Sequence, residues 1–223
     1  MFEQEIEMEK RQSGAVPLLL ITALIVAVAG AAIYYVLESR KVLSTPEAAN
    51  LAIGILNAQG PTTVSFQTGM VKEGYEDNAH DARYRLLEKL GVITVGKTKG
   101  PSTPVALTAK GSELLKQIAD VKQSKDAKGN LVYVVPLATR RLVDVSSVTM
   151  TGTGRATVQY SWRWEPNALG EGFDAAGDGV TSFNTWDRST LIDKHGARFY
   201  HDAPTKVAVA VVKTSQGWQV ATE

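Results

Sequence analysis

Residues 156–166, ATVQYSWRWEP, alternate between apolar and polar side chains. The large apolar residues are Val158, Tyr160, Trp162 and Trp164, and the residues between them are polar or charged. Because successive side chains of a β-strand point to opposite faces, this pattern predicts a strand with one buried and one solvated face. We predict that Trp162 and Trp164 belong to the structural core. The alternative is an aromatic face that binds a ligand.

The same period of two continues on both sides of this strand. Residues 130–150 and 205–223 are rich in β-branched residues, and the turn sequences TGTGR and SQG separate the runs. Residues 129–223 are therefore predicted to form an antiparallel β-sheet unit. Within it, residues 165–184 are rich in Gly, Asp and Asn and are predicted to form a solvated loop, because their DAAGDG sequence lacks the full spacing of a calcium loop.

Upstream of the sheet, apolar residues recur with the period of a helix. The segment 44–61 has Thr45 as a candidate N-cap, Pro46 at the first helical position and Gly60–Pro61 as a stop signal. It therefore predicts a helix that packs one apolar face on the soluble protein. Residues 61–75 have neither a helical nor a strand period and are not assigned.

Residues 77–123 predict the order helix, strand, turn, strand, helix, with Leu86, Leu90 and Leu107 in the core. This run resembles the C-terminal part of a winged-helix domain of the MarR or PadR type. In those domains a leucine-rich helix, a GVI or GLI sequence, a wing and an LT-x-x-G helix start follow one another. The residues that carry the resemblance are Leu86, Leu87, Leu90, Gly91, Ile93, Leu107, Thr108 and Gly111. The resemblance implies a helical, winged-helix-like unit over residues 44–128.

Within this unit, residues 91–98, GVITVGKT, match the phosphate-binding template G-x-x-x-x-G-K-[ST]. A phosphate-binding loop requires a strand before it and a helix that begins at the Lys-Thr pair. Here a helix is predicted before the match, stiff β-formers fill the four variable positions, and KGPSTP follows. We therefore predict that the chain binds no nucleotide, and the sequence predicts no other cofactor.

The remaining chemical candidates are histidines. His195 and His201 are six residues apart, a spacing that fits neither one face of a helix nor one face of a strand. The chain has no Cys, which excludes disulfides, thiolate catalysis and Cys-based zinc sites. No metal site, catalytic residue or cofactor-binding residue is predicted, so the sequence gives no reason to assign an enzyme.

The segment 15–37, AVPLLLITALIVAVAGAAIYYVL, contains no charged residue. As a helix it would be roughly 33 Å long, enough to cross a hydrocarbon core of about 30 Å. Its proline lies in the first turn and its tyrosines at the far end, where aromatic rings prefer the lipid headgroups. A transmembrane helix is predicted, with residues 1–14 as a short tail. The residues assigned to the membrane anchor are Pro17, Leu20, Ile25, Ile33, Tyr34 and Tyr35.

Retention and orientation of this helix are separate questions. Ala27–Ala29 has the form of a signal-peptidase site, but apolar sequence continues past it and four glutamates precede the segment, so we expect retention over cleavage. Lys10–Arg11 at one end balance Arg40–Lys41 at the other, so the positive-inside rule does not set the orientation. The short tail favours a signal anchor in the inner membrane, with the C-terminal domain in the periplasm.

Charge bears on the choice between two functions. Residues 61–128 carry eleven Lys and Arg against eight Asp and Glu, spread along the segment, whereas DNA-binding domains concentrate cations on one face. The sequence favours a single-pass bacterial envelope protein whose soluble domain binds other proteins as an accessory or scaffold subunit of a membrane complex. The alternative is a membrane-tethered winged-helix transcription regulator, whose candidate DNA contacts are Arg83, Arg85 and Lys89 on the recognition helix together with Lys97 and Lys99.

Overall fold

The computed structural model of the chain describes residues 19–36, 42–72, 74 and 78–221. It combines α-helices with an antiparallel β-sheet, which confirms the predicted mixed fold class. The helices are α1 (Leu19–Val36), α2 (Thr45–Ala58), α3 (Ala82–Lys89), α4 (Ala109–Gln117), α5 (Ala168–Glu171), α6 (Asp178–Thr181) and α7 (Thr185–Lys194). The strands are β1 (Thr62–Lys72), β2 (Ile93–Val95), β3 (Ser102–Leu107), β4 (Lys122–Lys125), β5 (Leu131–Gly152), β6 (Arg155–Pro166), β7 (Thr205–Thr214) and β8 (Gly217–Val220).

These elements form two compact units. The larger unit comprises Thr45–Ser147 and Gln159–Ala208, and the smaller unit comprises the described residues within Met1–Ser44, Val148–Val158 and Val209–Glu223. Strands β5, β6 and β7 each contribute residues to both units. The predicted division into 44–128 and 129–223 stays a prediction.

The strands hydrogen-bond in the order β2-β3-β1-β5-β6-β7-β8, and β4 pairs with β5. The pairs β1–β3, β1–β5, β2–β3, β4–β5 and β7–β8 are antiparallel. Turns at 153–154 and 215–216 join β5 to β6 and β7 to β8, where the sequences TGTGR and SQG predict them. The period-two pattern therefore identified β5 to β8 correctly.

Strand β1 occupies most of the stretch that the sequence left unassigned. Residues 62–68 pair with β5, whereas residues 69–72 pair with β3. Gly69, with a φ of +112°, lies where the strand changes partner. Every second residue from Val64 to Thr68 is buried, but the next buried residue is Val71. The alternation thus changes phase at the glycine, which hides the strand in the sequence.

The predicted order helix, strand, turn, strand, helix is present as α3, β2, β3 and α4. Thr108 caps α4, because its Oγ1 accepts a hydrogen bond from the backbone N–H of Gly111 at 2.8 Å. Leu86 is buried, and Leu90 and Leu107 are half-buried against the same hydrophobic core. Strand β3 pairs with β1 as well as with β2, so this hairpin belongs to the larger sheet. The winged-helix assignment itself stays a prediction.

The prediction of a solvated loop at 165–184 is wrong. Helices α5 and α6 lie in this segment, and Leu169, Phe173 and Val180 are buried. Each of these helices has only four residues, which is too short for a helical period to show in the sequence. The glycines and aspartates therefore indicated a loop, although the apolar residues between them belong to the core.

Helix α1 is the apolar helix near the N-terminus. Its 18 residues have a mean hydropathy of 2.4, and none of it is buried within the protein. The part of the chain that the structure describes thus contains one helix long and apolar enough to cross a membrane, as the sequence predicts. Pro17 and the tail 1–14 lie outside the described residues. The anchor residues Leu20, Ile25, Ile33, Tyr34 and Tyr35 are all exposed.

Candidate functional site

The tryptophans of β6 form a cluster with an arginine of β5 in the larger unit. The rings of Trp162 and Trp164 meet edge to face with their centroids 5.3 Å apart, and Trp164 meets Tyr200 in the same way at 6.4 Å. The guanidinium carbon of Arg140 lies 4.4 Å from the ring centroid of Trp164 and 5.3 Å from that of Trp162. Each such cation–π contact stabilises by about 0.5–2 kcal/mol. We call Arg140, Trp162, Trp164 and Tyr200 the tryptophan–arginine cluster.

Arg140 also connects the cluster to helix α2. Its Nη1 donates a hydrogen bond of 2.9 Å to the carbonyl oxygen of Gly60, just beyond the end of α2, where a positive charge is favourable. Its Nε is buried and has no hydrogen-bond partner within the described residues. Burial lowers the pKa of Arg140, and the charge of Arg198 lowers it further. An arginine nevertheless stays protonated at neutral pH, because its ordinary pKa lies far above 7.

A cavity of about 180 Å³ lies beside the two tryptophans. This volume would hold about six water molecules. Phe199 is 40% exposed, Arg163 and Arg198 are exposed, and the tryptophans are half-buried, so the cavity has apolar walls with charged groups around them. The residues that line it are Trp162, Arg163, Trp164, Arg198, Phe199, Asp202, Ala203 and Thr205.

The side chains of the residues at this cavity include both donors and acceptors of hydrogen bonds. The indole N–H groups of Trp162 and Trp164 have no hydrogen-bond partner in the described part of the chain, whereas the side chain of Arg163 alternates with them along β6 and points to the opposite face. Arg198 is held in place, since its Nη1 donates to the carbonyl oxygen of Ile192 at 2.7 Å. Asp202 supplies the carboxylate among the lining residues, with its Oδ1 3.9 Å from His201 Nε2.

The two histidines that the sequence singled out occupy different settings. Nδ1 of His201 lies 2.7 Å from Oδ2 of Asp174, and His195 instead forms the C-cap of α7. A carboxylate bonded to one ring nitrogen fixes the orientation of an imidazole. Among the described residues, no group of three or more His, Cys, Asp or Glu side chains is placed to hold a metal ion.

The segment GVITVGKT forms a strand and a coil. Helix α3 precedes it, Ile93–Val95 pair with β3, and the chain at Lys97 and Thr98 is not helical. The hydroxyl of Thr98 contacts that of Thr103 at 2.9 Å, which links the coil to β3. The backbone therefore differs from a phosphate-binding loop, in which a helix begins at the Lys-Thr pair.

We expect Lys97→Ala to leave the melting temperature unchanged and ATP or GTP not to shift the melting curve of either protein. The reason is that no helix begins at Lys97 and Thr98, and the backbone N–H groups of Gly96 and Lys99 already donate to the carbonyl oxygens of Pro104 and Ser102. Thermal unfolding of the full chain, with and without millimolar nucleotide, checks this. A stabilisation by nucleotide that disappears in Lys97→Ala would show a phosphate site, because a ligand that binds only the folded state raises stability.

The three cations of the candidate recognition helix α3 contact other parts of the protein. The side chain of Arg83 is 6% exposed and donates to the carbonyl oxygen of Ser65 at 2.7 Å. Arg85 forms an ion pair of 2.6 Å with Asp187. Lys89 donates to Ser182 Oγ at 2.6 Å. Helix α3 packs against α6 and α7, and of the three cations Arg85 and Lys89 take part in this contact.

Sequence analysis found the tryptophans of this site but missed their partners. Arg140, Arg198 and Tyr200 come from a neighbouring strand and a distant segment, and no spacing in the sequence connects them to β6. The sequence offers one hint of Arg198 and Tyr200, because an arginine stands beside aromatic residues in RFYH, residues 198–201. It offers none for Arg140. No family model matches this chain, and neither a curated protein nor a solved structure is detectably similar to it.

Proposed function

We propose that this chain is a single-pass membrane protein of the bacterial envelope whose folded part binds other proteins as an accessory or scaffold subunit of a membrane complex. Helix α1 is the observation that carries the proposal. It exposes Leu, Ile, Val and Tyr side chains along its whole length, which is unfavourable in water and favourable in lipid. The described part alone is about 27 Å long, close to the thickness of a hydrocarbon core.

Protein binding is supported by the composition of the tryptophan–arginine cluster and the cavity beside it. Trp, Tyr and Arg are the residues that dominate binding energy at protein interfaces, especially where they are held in place around a pocket. In addition, Trp186 on α7 is 82% exposed, far more than a tryptophan with a purely structural role. Both features lie in the larger unit.

The alternative is a membrane-tethered winged-helix regulator, and the order of α3, β2, β3 and α4 is what favours it. The contacts of α3 count against it. DNA binding needs cations free to reach phosphates. Arg83, Arg85 and Lys89 already bind Ser65, Asp187 and Ser182, so DNA would have to displace these partners.

Membrane topology separates the two functions. With a short tail in the cytoplasm and the folded part exported, alkaline phosphatase fused after Ala221 is expected to be active, because it folds only after export. Green fluorescent protein at the same site is expected to be dark. The opposite pair of results would place the folded part beside the genome and favour the regulator. Loss of the protein from membranes on carbonate extraction would contradict both, because α1 would then not span the bilayer.

A further inference from the structure

We infer that the turns of the β5–β6 and β7–β8 hairpins bind the headgroups of acidic phospholipids in the membrane that α1 crosses. This inference rests on the proposed function, because it requires α1 to span a bilayer. It goes beyond that function, since it assigns a lipid-binding site to the smaller unit. Free phosphate is the other source of the same chemical group, and the experiment below distinguishes the two.

A cavity of about 480 Å³ lies between the end of α1 and the two hairpin turns. The residues that line it are Tyr35 of α1, Thr153 and Gly154 of the first turn, and Lys213, Thr214, Ser215 and Gly217 around the second. All of them belong to the smaller unit. The hairpin turns therefore lie beside the last turn of the membrane helix.

The tyrosines of α1 set the depth of this cavity in the membrane. Tyr34 and Tyr35 are 70% and 76% exposed at the end of the helix. Tyrosine rings at the end of a transmembrane helix lie among the lipid headgroups, because the ring is apolar and the hydroxyl is polar. Since Tyr35 lines the cavity, the two hairpin turns lie at the level of the lipid phosphates.

The charges of the smaller unit favour an anionic surface. Residues 148–158 and 209–221 contain Arg155 and Lys213 but no Asp or Glu. Arg155 is exposed at the start of β6, next to the first turn, and Lys213 lines the cavity. Basic residues close to a membrane that contains acidic lipids are attracted to its surface. The cavity therefore has both the charge and the position that an acidic headgroup requires.

Trp218 is the aromatic neighbour of Lys213. The two residues pair directly between β7 and β8, so their side chains lie on the same face of the hairpin. Val220 follows on the same face of β8 and is 43% exposed. Tryptophan and lysine are both favoured at the membrane surface, where the indole lies among the headgroups and the lysine stem extends its ammonium group to a phosphate.

The hairpin turns also supply hydrogen-bond donors for a phosphate. Thr153 and Ser215 are exposed, and their hydroxyl groups can donate alongside the ammonium group of Lys213. The backbone N–H of Lys213 donates to the carbonyl oxygen of Gly154 at 2.8 Å, so the two hairpins are held together before lipid binds. The cavity has the volume of about sixteen water molecules, enough for the phosphate and glycerol groups of a headgroup.

The test uses the full chain in phospholipid nanodiscs, with the indole nitrogens of tryptophan labelled for NMR. Trp218 reports on the cavity, and the other three tryptophans, Trp162, Trp164 and Trp186, belong to the larger unit and serve as controls. The nanodiscs contain phosphatidylcholine with increasing fractions of phosphatidylglycerol. We expect the signal of Trp218 to move as the acidic lipid increases and the three control signals to stay in place.

Lys213→Gln is expected to raise the fraction of phosphatidylglycerol at half-maximal shift by about fivefold, the effect of one basic residue near an anionic membrane surface. Lys213→Arg keeps the charge and is expected to leave this fraction unchanged, which separates a loss of charge from a loss of packing. The matched control is Lys206→Gln, which is expected to have no effect. Lys206 is exposed near the opposite end of β7, roughly 23 Å from Lys213 along the strand, well beyond a Debye length.

Two further measurements identify the source of the phosphate. A nitroxide on the lipid headgroup is expected to broaden the Trp218 signal more than a nitroxide at the end of the acyl chain, because the cavity lies at the level of the headgroups. In nanodiscs of phosphatidylcholine alone, millimolar inorganic phosphate is expected to leave the Trp218 signal in place, because the free ion is not concentrated at the membrane surface.

Three outcomes would overturn the inference and leave the proposed membrane anchor standing. If Lys206→Gln has the same effect as Lys213→Gln, the attraction is general and the cavity is not the site. If inorganic phosphate moves the Trp218 signal and Lys213→Gln abolishes this shift, the cavity binds soluble phosphate. If neither nitroxide broadens the signal, the hairpin turns do not lie at the membrane surface. A chain that fails to enter nanodiscs would contradict the anchor and the inference together.

Discussion

Gly111→Ala is expected to lower the free energy of unfolding by about 3 kcal/mol, although alanine forms helices better than glycine does. A Cβ at Gly111 would overlap the carbonyl oxygen of Val92 and lie 2.7 Å from its carbonyl carbon. That oxygen also accepts a hydrogen bond from Thr108 N at 3.1 Å. Because these are backbone atoms of the residue just before β2, helix α4 would have to move away from the sheet.

The matched control is Gly54→Ala in the middle of α2. A Cβ at Gly54 would meet no atom within 4 Å, so this change is expected to stabilise the protein by about 0.5–1 kcal/mol through helix propensity alone. Urea unfolding of the full chain in micelles, followed by tryptophan fluorescence, measures both variants. If Gly111→Ala were neutral or stabilising, the close approach of α4 to Val92 would be wrong.

Trp164→Ala is expected to lower the free energy of unfolding by about 3 kcal/mol, as for other truncations of large aromatic residues. Trp164 packs against the hydrophobic core, and its ring also contacts Arg140 and Tyr200. Removing the ring therefore leaves a cavity and removes its cation–π contact with Arg140. Trp162→Ala is expected to have a smaller effect, since Trp162 is not among the side chains packed on the core.

The same urea experiment checks this, with Trp186→Ala as control. Trp186 is 82% exposed, so its truncation should change the free energy of unfolding by less than about 0.5 kcal/mol. Equal midpoints for Trp164→Ala and Trp186→Ala would mean that the ring of Trp164 does not stabilise the fold. Trp164 would then line the cavity without stabilising the core, and the core role that the sequence predicts for it would be wrong.

Local patterns in the sequence determined much of the fold. The apolar run predicts α1, the caps and stop signals predict α2, and the period of two predicts the strands from β5 to β8. These features were readable because each depends on neighbouring residues. The resemblance around Thr108 and Gly111 likewise points to the LT-x-x-G helix start of α4, whose cap the structure contains.

The tertiary structure alone decided what depends on contacts between distant segments. Strand β1 changes partner at Gly69, which breaks its alternation, and β4 consists of four exposed residues without an apolar face. The short helices α5 and α6 carry no periodic signal. The candidate site depends on Arg140, Arg198 and Tyr200 meeting the tryptophans of β6, and strand pairing and chain packing set those distances. Sequence patterns show which face of a helix or strand is apolar. The element that packs against this face is determined only when the whole chain folds.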